Sequence, residues 1–240
     1  MSSSQARADF GSVGRGVEDG RRIDPPVTIV LRPLASPLPI GFFAFAIGSF
    51  LFSALELGWI AHTQAPELAT IMLVFVAPIE LLASILAFWA RDNGGATALG
   101  LFGMTWGTVG AILLTSPTER SSMLGLFLIC MGAVILAFAV TSAFGKPVLS
   151  IVALLSCARF VVTGVYQIHG GFRWEHLSGW IGLPMSAAAF YLALALMIED
   201  TQRQTVLPLG RRGAARSALE SHLRDQVEAV EREAGVRRQL

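Results

Sequence analysis

The chain has 240 residues, of which 53% are hydrophobic and only 15% are charged, whereas charged residues make up about a quarter of an average soluble protein. The 35 charged residues (18 Lys and Arg, 17 Asp and Glu) are unevenly placed: nine lie in residues 1–32, fifteen in 199–240 and only eleven in 33–198. Eleven charges cannot cover the surface of a soluble domain of that size, so the middle of the chain must face lipid. This distribution excludes a soluble enzyme and a disordered scaffold, and the net charge of +1 argues against a nucleic-acid partner.

Residues 1–32 precede the first apolar run and are rich in Gly, Ser, Arg and Asp. Because such a composition buries little apolar surface, this segment is predicted to be a disordered N-terminal tail. It also lacks the apolar core of a secretory signal peptide. The first apolar run is therefore expected to act as an internal insertion signal and to remain in the mature protein.

Six apolar runs follow, and each approaches the length of about 20 helical residues that crosses the hydrocarbon core of a bilayer. They occupy residues 39–60, 68–89, 97–115, 123–144, 148–168 and 177–198. Backbone polar groups find no water in lipid, so runs of this kind must be helical. The breaks between the runs are short, which makes consecutive helices antiparallel. The sequence therefore predicts an all-α, polytopic membrane protein with six transmembrane helices in residues 33–210.

The positive charges in the loops and tails predict how these helices are oriented. With six crossings, both termini lie on one side, which carries fifteen Lys and Arg residues against two, Arg120 and Arg173, on the other side. Cytoplasmic segments of membrane proteins carry the excess of positive charge. Both termini are therefore expected in the cytoplasm, and the protein is expected in the inner (cytoplasmic) membrane of the cell.

The third apolar run is rich in glycine. Gly103 and Gly107 have the spacing of small residues that lets two transmembrane helices approach closely in lipid. This face of the helix is predicted to pack tightly, either inside one protomer or between subunits.

Three ionisable side chains, Glu56, Glu80 and Arg159, fall within the apolar runs. A charge at the centre of a transmembrane helix costs about 2.5–3.5 kcal/mol even on conservative scales, so these side chains are expected to face the protein interior or water. Glu56 and Arg159 lie near enough to helix ends that snorkelling to the interface is an alternative. Glu80 is close to the middle of its run, and we hypothesise that it belongs to a polar pathway, with Arg159 as a candidate partner.

Residues 211–240 form a separate charged segment in which apolar residues, including Leu219, Leu223 and Val227, recur at helical spacing. The pattern predicts an amphipathic cytoplasmic helix or a short coiled coil. Two interpretations stay open: a solvated charged tail with some helicity, and an element for self-association or for binding a lipid surface.

No pattern in the chain indicates catalysis or a bound cofactor. Cys130 and Cys157 lie inside apolar runs and are expected to be small apolar fillers, so no disulfide is predicted. The histidines at 62, 169 and 176 lack the spacing of a metal-binding pair, and no phosphate loop or Ser/His/Asp set is found. The chain is therefore not expected to be an enzyme, to bind a metal or to use a cofactor.

Three parts of the chain carry longer motifs. These are Ser36–Gly41 (Ser-Pro-Leu-Pro-Ile-Gly), the Gly95-Ala96-Thr97 and Thr105-Trp106-Gly107 steps of the third run, and, near the end, Gly179–Leu183, Ala189–Ala193 and Thr205–Gly210 (Thr-Val-Leu-Pro-Leu-Gly). Together they resemble the acetate uptake transporter family, which includes the bacterial succinate–acetate permeases. In the first motif, Pro37, Pro39 and Gly41 match the family signature Asn-Pro-Ala-Pro-Leu-Gly. The resemblance covers residues 33–210.

The resemblance implies a six-helix protomer, commonly assembled as a homo-hexamer, with a path for acetate and related small carboxylates through each protomer. The family path narrows at an apolar constriction of Phe, Tyr and Leu. Phe45 matches the Phe, and Trp106 stands where the Tyr is expected. Leu155, or its neighbour Leu154, falls near the position of the Leu. The implied partners are a small acetate-like substrate, the lipid bilayer and other copies of the chain, with no nucleic acid.

The predicted function is therefore a membrane transporter or channel for acetate and related small monocarboxylates, by a proton-coupled or a channel-like mechanism. The chain departs from the family at several points. Ser36 replaces the Asn of the signature, and the turn before Gly95 is about four residues longer. Phe52, Ala54 and Leu55 occupy the region of a polar cluster, and the tail beyond Gly210 has no counterpart in the short bacterial members. These departures keep two alternatives open. One is a non-transporting membrane scaffold that binds a partner through its charged tail, and the other is a transporter of another small solute such as ammonia.

Overall fold

The computed structural model describes residues 35–117, 119–202 and 206–211, and all regular secondary structure in these ranges is helical. The α-helices are α1 (Leu38–Glu56), α2 (Ala65–Ile71), α3 (Ala77–Trp89), α4 (Asn93–Thr115), α5 (Ser122–Ala143), α6 (Pro147–His169) and α7 (Phe172–Gln202). The predicted all-α class is confirmed. The predicted tails, residues 1–32 and 211–240, lie outside the described residues except for Arg211.

Six helical segments of the described ranges are long and apolar enough to cross a membrane, which confirms the predicted number of spans. Five are α1, α4, α5, α6 and α7, and the other is the continuous segment His62–Trp89, which contains α2 and α3. The ends of four spans differ from the prediction by four residues or more. The second span begins at His62 rather than at residue 68, and α4 begins at Asn93 rather than at residue 97. Helix α1 stops at Glu56 rather than at residue 60, because Gly58 turns the chain with a positive φ of 72°. Helix α7 extends past both ends of its apolar run, because charged residues continue the helix outside the apolar region.

The second span is not a uniform α-helix. A π-helical turn, Met72–Val76, joins α2 to α3. Pro78 is the second residue of α3 and has no N–H to donate to the carbonyl of Val74 one turn earlier, and its ring crowds that carbonyl. The wider turn accommodates this proline. Single π-helical turns within α-helices are frequent at functional sites.

The most extensive helix pairs are α5 with α6, α1 with α7, and α3 with α4. The glycine face of α4 lies inside the protomer, against the second span. A Cβ atom at Gly103 would lie 3.0 Å from the Cβ of Glu80 and 3.2 Å from the carbonyl oxygen of Ala77. At Gly107, by contrast, the nearest atom would be the Cβ of Ala77 at 3.6 Å, an ordinary contact. Of these two glycines, Gly103 is therefore the one that permits the close approach of α4 to α3.

The start of α1 and the loops before α4 and α6 lie at one end of the bundle. Asp92 caps α4 by accepting a hydrogen bond from the Gly95 N–H (3.1 Å), and it forms an ion pair of 3.2 Å with Lys146. A side chain at Gly95 would overlap Leu38, the first residue of α1. We call this the proximal end of the bundle, and we call the opposite end, where α1 and α6 finish, the distal end.

Residues 206–211 return to the proximal end and pack onto it. The Tyr191 hydroxyl donates a hydrogen bond to the carbonyl oxygen of Pro208 (3.0 Å), and Leu209 is buried. Gly210 has a φ of 64°, and a Cβ atom there would lie 2.7 Å from a ring carbon of Pro147. The first and last described residues of the chain are therefore on the same side of the bundle, as an even number of crossings requires.

Candidate functional site

A cavity lies between α1, α4, α5, α6 and α7. The cavity has room for two or three water molecules: about 30 Å³ is open to the centres of waters, and each water needs about 10–15 Å³ on this measure. Its walls are mostly apolar and are formed by Phe45, Phe52, Thr105, Trp106, Val109, Leu124, Leu128, Arg159, Phe160, Thr163, Gln167 and Met185. A solute of a few heavy atoms matches this space, and among the described residues one charged side chain, that of Arg159, lines it.

Aromatic rings from three helices pack together beside the cavity, and all of them except Phe102 line it. The ring centroids of Phe45 and Phe102 are 4.5 Å apart, and the ring of Trp106 lies 6.0 Å from Phe45 and 6.1 Å from Phe52. Phe160 packs against Phe102 at 6.1 Å. We call these five residues the aromatic cluster. Because the rings contact one another from different helices, a small shift of one ring changes the width of the cavity.

The structure brings two of the three predicted constriction residues together. Phe45 is 1% exposed and Trp106 is 6% exposed, and both line the cavity. Leu155 does not line it: this side chain is partly buried and packs against the hydrophobic core, while Leu154 points outwards. Phe160, further along α6, is the residue of that helix that joins the aromatic cluster.

Arg159 forms a buried ion pair with Glu56 rather than with Glu80. Its Nη2 donates to Glu56 Oε2 over 2.8 Å, and the two side chains are only 3% and 5% exposed. Its Nη1 donates to the backbone carbonyl of Ser49 (3.1 Å), and the guanidinium lies 5.4 Å from the ring centroid of Phe52. Arg159 and Glu56 therefore do not snorkel to the interface, and the candidate pairing of Glu80 with Arg159 is not found.

The second oxygen of Glu56 is also hydrogen-bonded. The Ser178 hydroxyl donates to Glu56 Oε1 over 2.7 Å, and the hydroxyls of Ser178 and Thr163 are 2.6 Å apart. A buried ion pair is tolerated only where its remaining polar atoms find partners. The network from Glu56 through Ser178 to Thr163 meets this condition, and Thr163 in turn lines the cavity.

Two glycines of α7 make room for this ion pair. A side chain at Gly182 would overlap both the Ser53 hydroxyl and the guanidinium of Arg159. A Cβ atom at Gly179 would lie 2.7 Å from Leu57 Cγ and 3.2 Å from the Cβ of Glu56. Both glycines belong to the Gly179–Leu183 motif, so this motif has a specific packing role beside the charged pair.

Glu80 lies in a different environment. The residue is fully buried on α3, and neither of its carboxyl oxygens accepts a hydrogen bond of normal geometry from the described residues. The indole of Trp106 is near enough to interact with this carboxyl group, and Gly103 packs against its Cβ. Glu80 therefore contacts a wall residue of the cavity without lining the cavity itself.

The signature at the start of α1 positions that helix. Pro37 and Pro39 stand at the N-terminus of α1, where a missing N–H is tolerated. A Cβ atom at Gly41 would lie 2.7 Å from a methyl carbon of Leu99 and 3.0 Å from the Cβ of Ala83. Gly41 thus lets α1 approach α3 and α4, which places Phe45, one turn further on, beside the cavity.

Within the described ranges, no group of three His, Cys, Asp or Glu side chains is arranged to hold a metal ion. Cys130 is exposed, Cys157 is partly buried, and both are free thiols. The polar groups at the cavity suit an organic anion or acid, because they offer a guanidinium and hydroxyls rather than a set of metal ligands.

Known proteins share this architecture. A family model described as the GPR1/FUN34/yaaH family matches residues 21–210. The succinate-acetate/proton symporter SatP of Escherichia coli (strain K12) is 28% identical over 183 residues, which is 74% of this chain and 96% of that protein. An uncharacterized protein of Methanothermobacter thermautotrophicus is 22% identical over 192 residues, 75% of this chain and 93% of that protein. A solved structure of the bacterial acetate channel SatP aligns with a TM-score of 0.68 and 27% identity, over 74% of this chain and 99% of that one.

Proposed function

The chain belongs to the GPR1/FUN34/yaaH family, and on that basis we propose that it is a membrane transporter or channel for acetate and related small monocarboxylates. The observation that carries the proposal is the cavity inside the six-span bundle, which is narrow, mostly apolar and lined by the buried guanidinium of Arg159. Relatives described as a succinate-acetate/proton symporter and as an acetate channel support the same substrate class.

The aromatic cluster suits the passage of a small weak acid. Moving an ion through an apolar constriction costs far more than moving a neutral molecule of the same size. A carboxylic acid crosses Phe45 and Trp106 most easily in its neutral form, whereas the anion is attracted by Arg159 on the same cavity wall. We therefore assign Phe45 and Trp106 to the constriction of the pathway, and Arg159 and Glu80 to its polar part.

The orientation and the assembly of the protein are part of this proposal. The proximal end carries Arg91, Lys146 and Arg211, whereas the distal end carries Arg120 and Arg173, which favours a cytoplasmic proximal end. Both tails then extend into the cytoplasm from a protein in the inner membrane. Assembly as a homo-hexamer is the arrangement that the family resemblance implies.

The test is acetate flux in purified, reconstituted protein. Labelled acetate is added outside proteoliposomes, and uptake is followed at several external pH values, with protein-free liposomes from the same lipid as the control. We expect saturable uptake that is stimulated by an acidic exterior and inhibited by other small monocarboxylates. Uptake no faster than in protein-free liposomes contradicts the proposal. Inhibition by ammonium but not by carboxylates identifies another small solute as the substrate.

A further inference from the structure

We propose that Glu56 and Arg159 form a proton-dependent binding site for the substrate carboxylate, in which protonation of Glu56 releases Arg159 to bind the substrate anion. The inference rests on the proposed function, because it takes a small carboxylate as the ligand. It assigns the binding of the proton and the binding of the anion to two named side chains of one buried pair.

The first step concerns the donors of Arg159. A guanidinium has five N–H donors. In the structure, Nη2 donates to Glu56 and Nη1 to the Ser49 carbonyl, while the side chain also forms part of the cavity wall. A solute in the cavity therefore meets a guanidinium whose position is fixed but whose charge is already matched by Glu56.

The second step concerns the chemistry of the partner. The carboxylate of Glu56 is the same functional group as that of the substrate, so the two compete for Arg159. When Glu56 takes up a proton, it becomes a neutral acid that still accepts the hydrogen bond from Ser178, and the buried cation is left unmatched. An unmatched buried charge is strongly unfavourable. Binding of a substrate anion restores the balance, so that one proton and one carboxylate occupy the site together.

The third step concerns access for the proton. The charged groups that act on Glu56 are Arg159 from α6 and Glu175 from α7, and Tyr166 of α6 interacts with both glutamates. Glu175 Oε1 lies 3.7 Å from Nε2 of His62, whose side chain is 59% exposed at the distal end. The described parts of α2, α3 and α4 bring no further charged group against Glu56. His62 and Glu175 therefore lie at the distal end of the bundle, and electrostatic interactions link Glu175 and Tyr166 to Glu56.

The experiment measures how many protons the purified full-length protein takes up for each acetate that binds. Labelled acetate gives the amount bound, and an indicator dye in weakly buffered solution at neutral pH gives the protons consumed. The wild-type protein is expected to take up about one proton per acetate. Uptake of neutral acetic acid gives the same ratio without Glu56, so the variants decide between the two mechanisms.

Glu56→Gln mimics protonated Glu56, so that the charge of Arg159 stays unmatched. It is expected to bind acetate at neutral pH about tenfold more tightly than the wild-type protein and to take up no proton on binding. Glu56→Asp restores a titratable group and is expected to restore proton uptake. Arg159→Gln is expected to weaken acetate binding about tenfold at every pH, because it removes charge-assisted hydrogen bonds to the anion.

The matched control is Glu199→Gln. Glu199 is a buried glutamate hydrogen-bonded to Arg211 at the proximal end, so this variant removes a carboxylate from a pair of the same kind outside the cavity. It is expected to keep the wild-type proton ratio. The double variant Glu56→Gln/Arg159→Gln leaves no unmatched charge. It is expected to remain folded and to lose the tight binding of Glu56→Gln.

Three results overturn the proposal. The first is a Glu56→Gln variant that keeps the wild-type ratio of protons to acetate, because the proton then travels on the substrate or on another group. The second is loss of proton uptake in Glu80→Gln but not in Glu56→Gln. The third is an Arg159→Gln variant that binds acetate like the wild-type protein, or a double variant that binds it as tightly as Glu56→Gln. If the wild-type protein neither binds nor transports small carboxylates, the proposed function fails as well, so the two failures are distinguishable.

Discussion

Glu56 and Glu80, two of the buried glutamates of the bundle, occupy opposite kinds of environment. Glu56 is held by Arg159 and Ser178, from two different helices, through both carboxyl oxygens. Glu80 is equally buried, yet both of its oxygens lack hydrogen bonds of normal geometry within the described residues. Burial alone therefore does not define a polar site in this membrane protein. The number of hydrogen-bond partners distinguishes the two side chains. Glu56 is fixed in one geometry by its partners, whereas the surroundings of Glu80 impose little directional constraint on its carboxyl group.

The largest effect is expected when Arg159 is removed, because Glu56 then remains buried without its cation. We expect Arg159→Leu to lower the free energy of unfolding by about 3–5 kcal/mol. Most of this loss should return in the double variant Glu56→Leu/Arg159→Leu. Denaturant unfolding of the purified protein in detergent measures both changes. A double variant that is as unstable as the single one contradicts the interpretation that the loss comes from an unmatched charge.

The constriction is expected to respond to a change at Phe45. In Phe45→Ala, loss of the ring that contacts Phe102 and Trp106 widens the narrow part of the cavity, so leak rises and longer carboxylates pass more easily. Flux of acetate and of a longer monocarboxylate into proteoliposomes gives the ratio of the two rates. Phe88→Ala is the control, because Phe88 is exposed on α3. Unchanged flux and an unchanged ratio count against Phe45 as a constriction residue.

A smaller effect is expected at the glycine that makes room for the guanidinium. In Gly182→Ala, the added methyl group overlaps Arg159 and Ser53, and overpacking of this kind costs about 1–3 kcal/mol. The variant should therefore unfold at lower denaturant and show weaker acetate flux. Gly107→Ala is the matched control on α4, where the new Cβ would lie 3.6 Å from its nearest neighbour. Equal effects of the two substitutions would contradict a specific role for Gly182.

The smallest change in stability is expected at Glu80. Replacement of Glu80 by Gln removes a titratable group and breaks no hydrogen bond of normal geometry, so the free energy of unfolding should change by less than about 1 kcal/mol. Comparing the change in the free energy of unfolding of Glu80→Gln with that of Arg159→Leu directly tests the difference between the environments of Glu80 and Glu56. A loss of several kcal/mol in Glu80→Gln would show that Glu80 has a strong partner and would remove the contrast.

The spans were predictable from the sequence because lipid imposes a simple rule, that about 20 apolar residues form a helix. The helix ends were less predictable, since they depend on local conformations such as the positive φ of Gly58. The resemblance identified Phe45 and Trp106 as neighbours, and their rings are in contact. Leu155 was placed beside them from a loose alignment, and the rotation of α6 brings Phe160 there instead.

The rotation of α6 about its own axis follows from contacts with other helices, which the local sequence of α6 does not reveal. At Gly164 an added Cβ would lie 2.7 Å from the carbonyl oxygen of Gly125, so the backbones of α5 and α6 touch through glycines. The ion pair was missed for a related reason. Glu56 and Arg159 are 103 positions apart, and Arg159 lies at the middle of α6 rather than near the helix end where the sequence interpretation placed it. Only the packing of α1, α6 and α7 brings them together.

The π-helical turn at Met72–Val76 has a consequence for how the second span is read. An α-helix rotates by about 100° for each residue, and a π-helical turn inserts a residue relative to that spacing. The two halves of the span therefore follow separate helical phases, so a single helical wheel drawn through residues 62–89 assigns side chains to the wrong faces. Removal of one residue from this turn would let the span continue as a regular α-helix and leave Glu80 facing Gly103, because the wide turn already absorbs that residue.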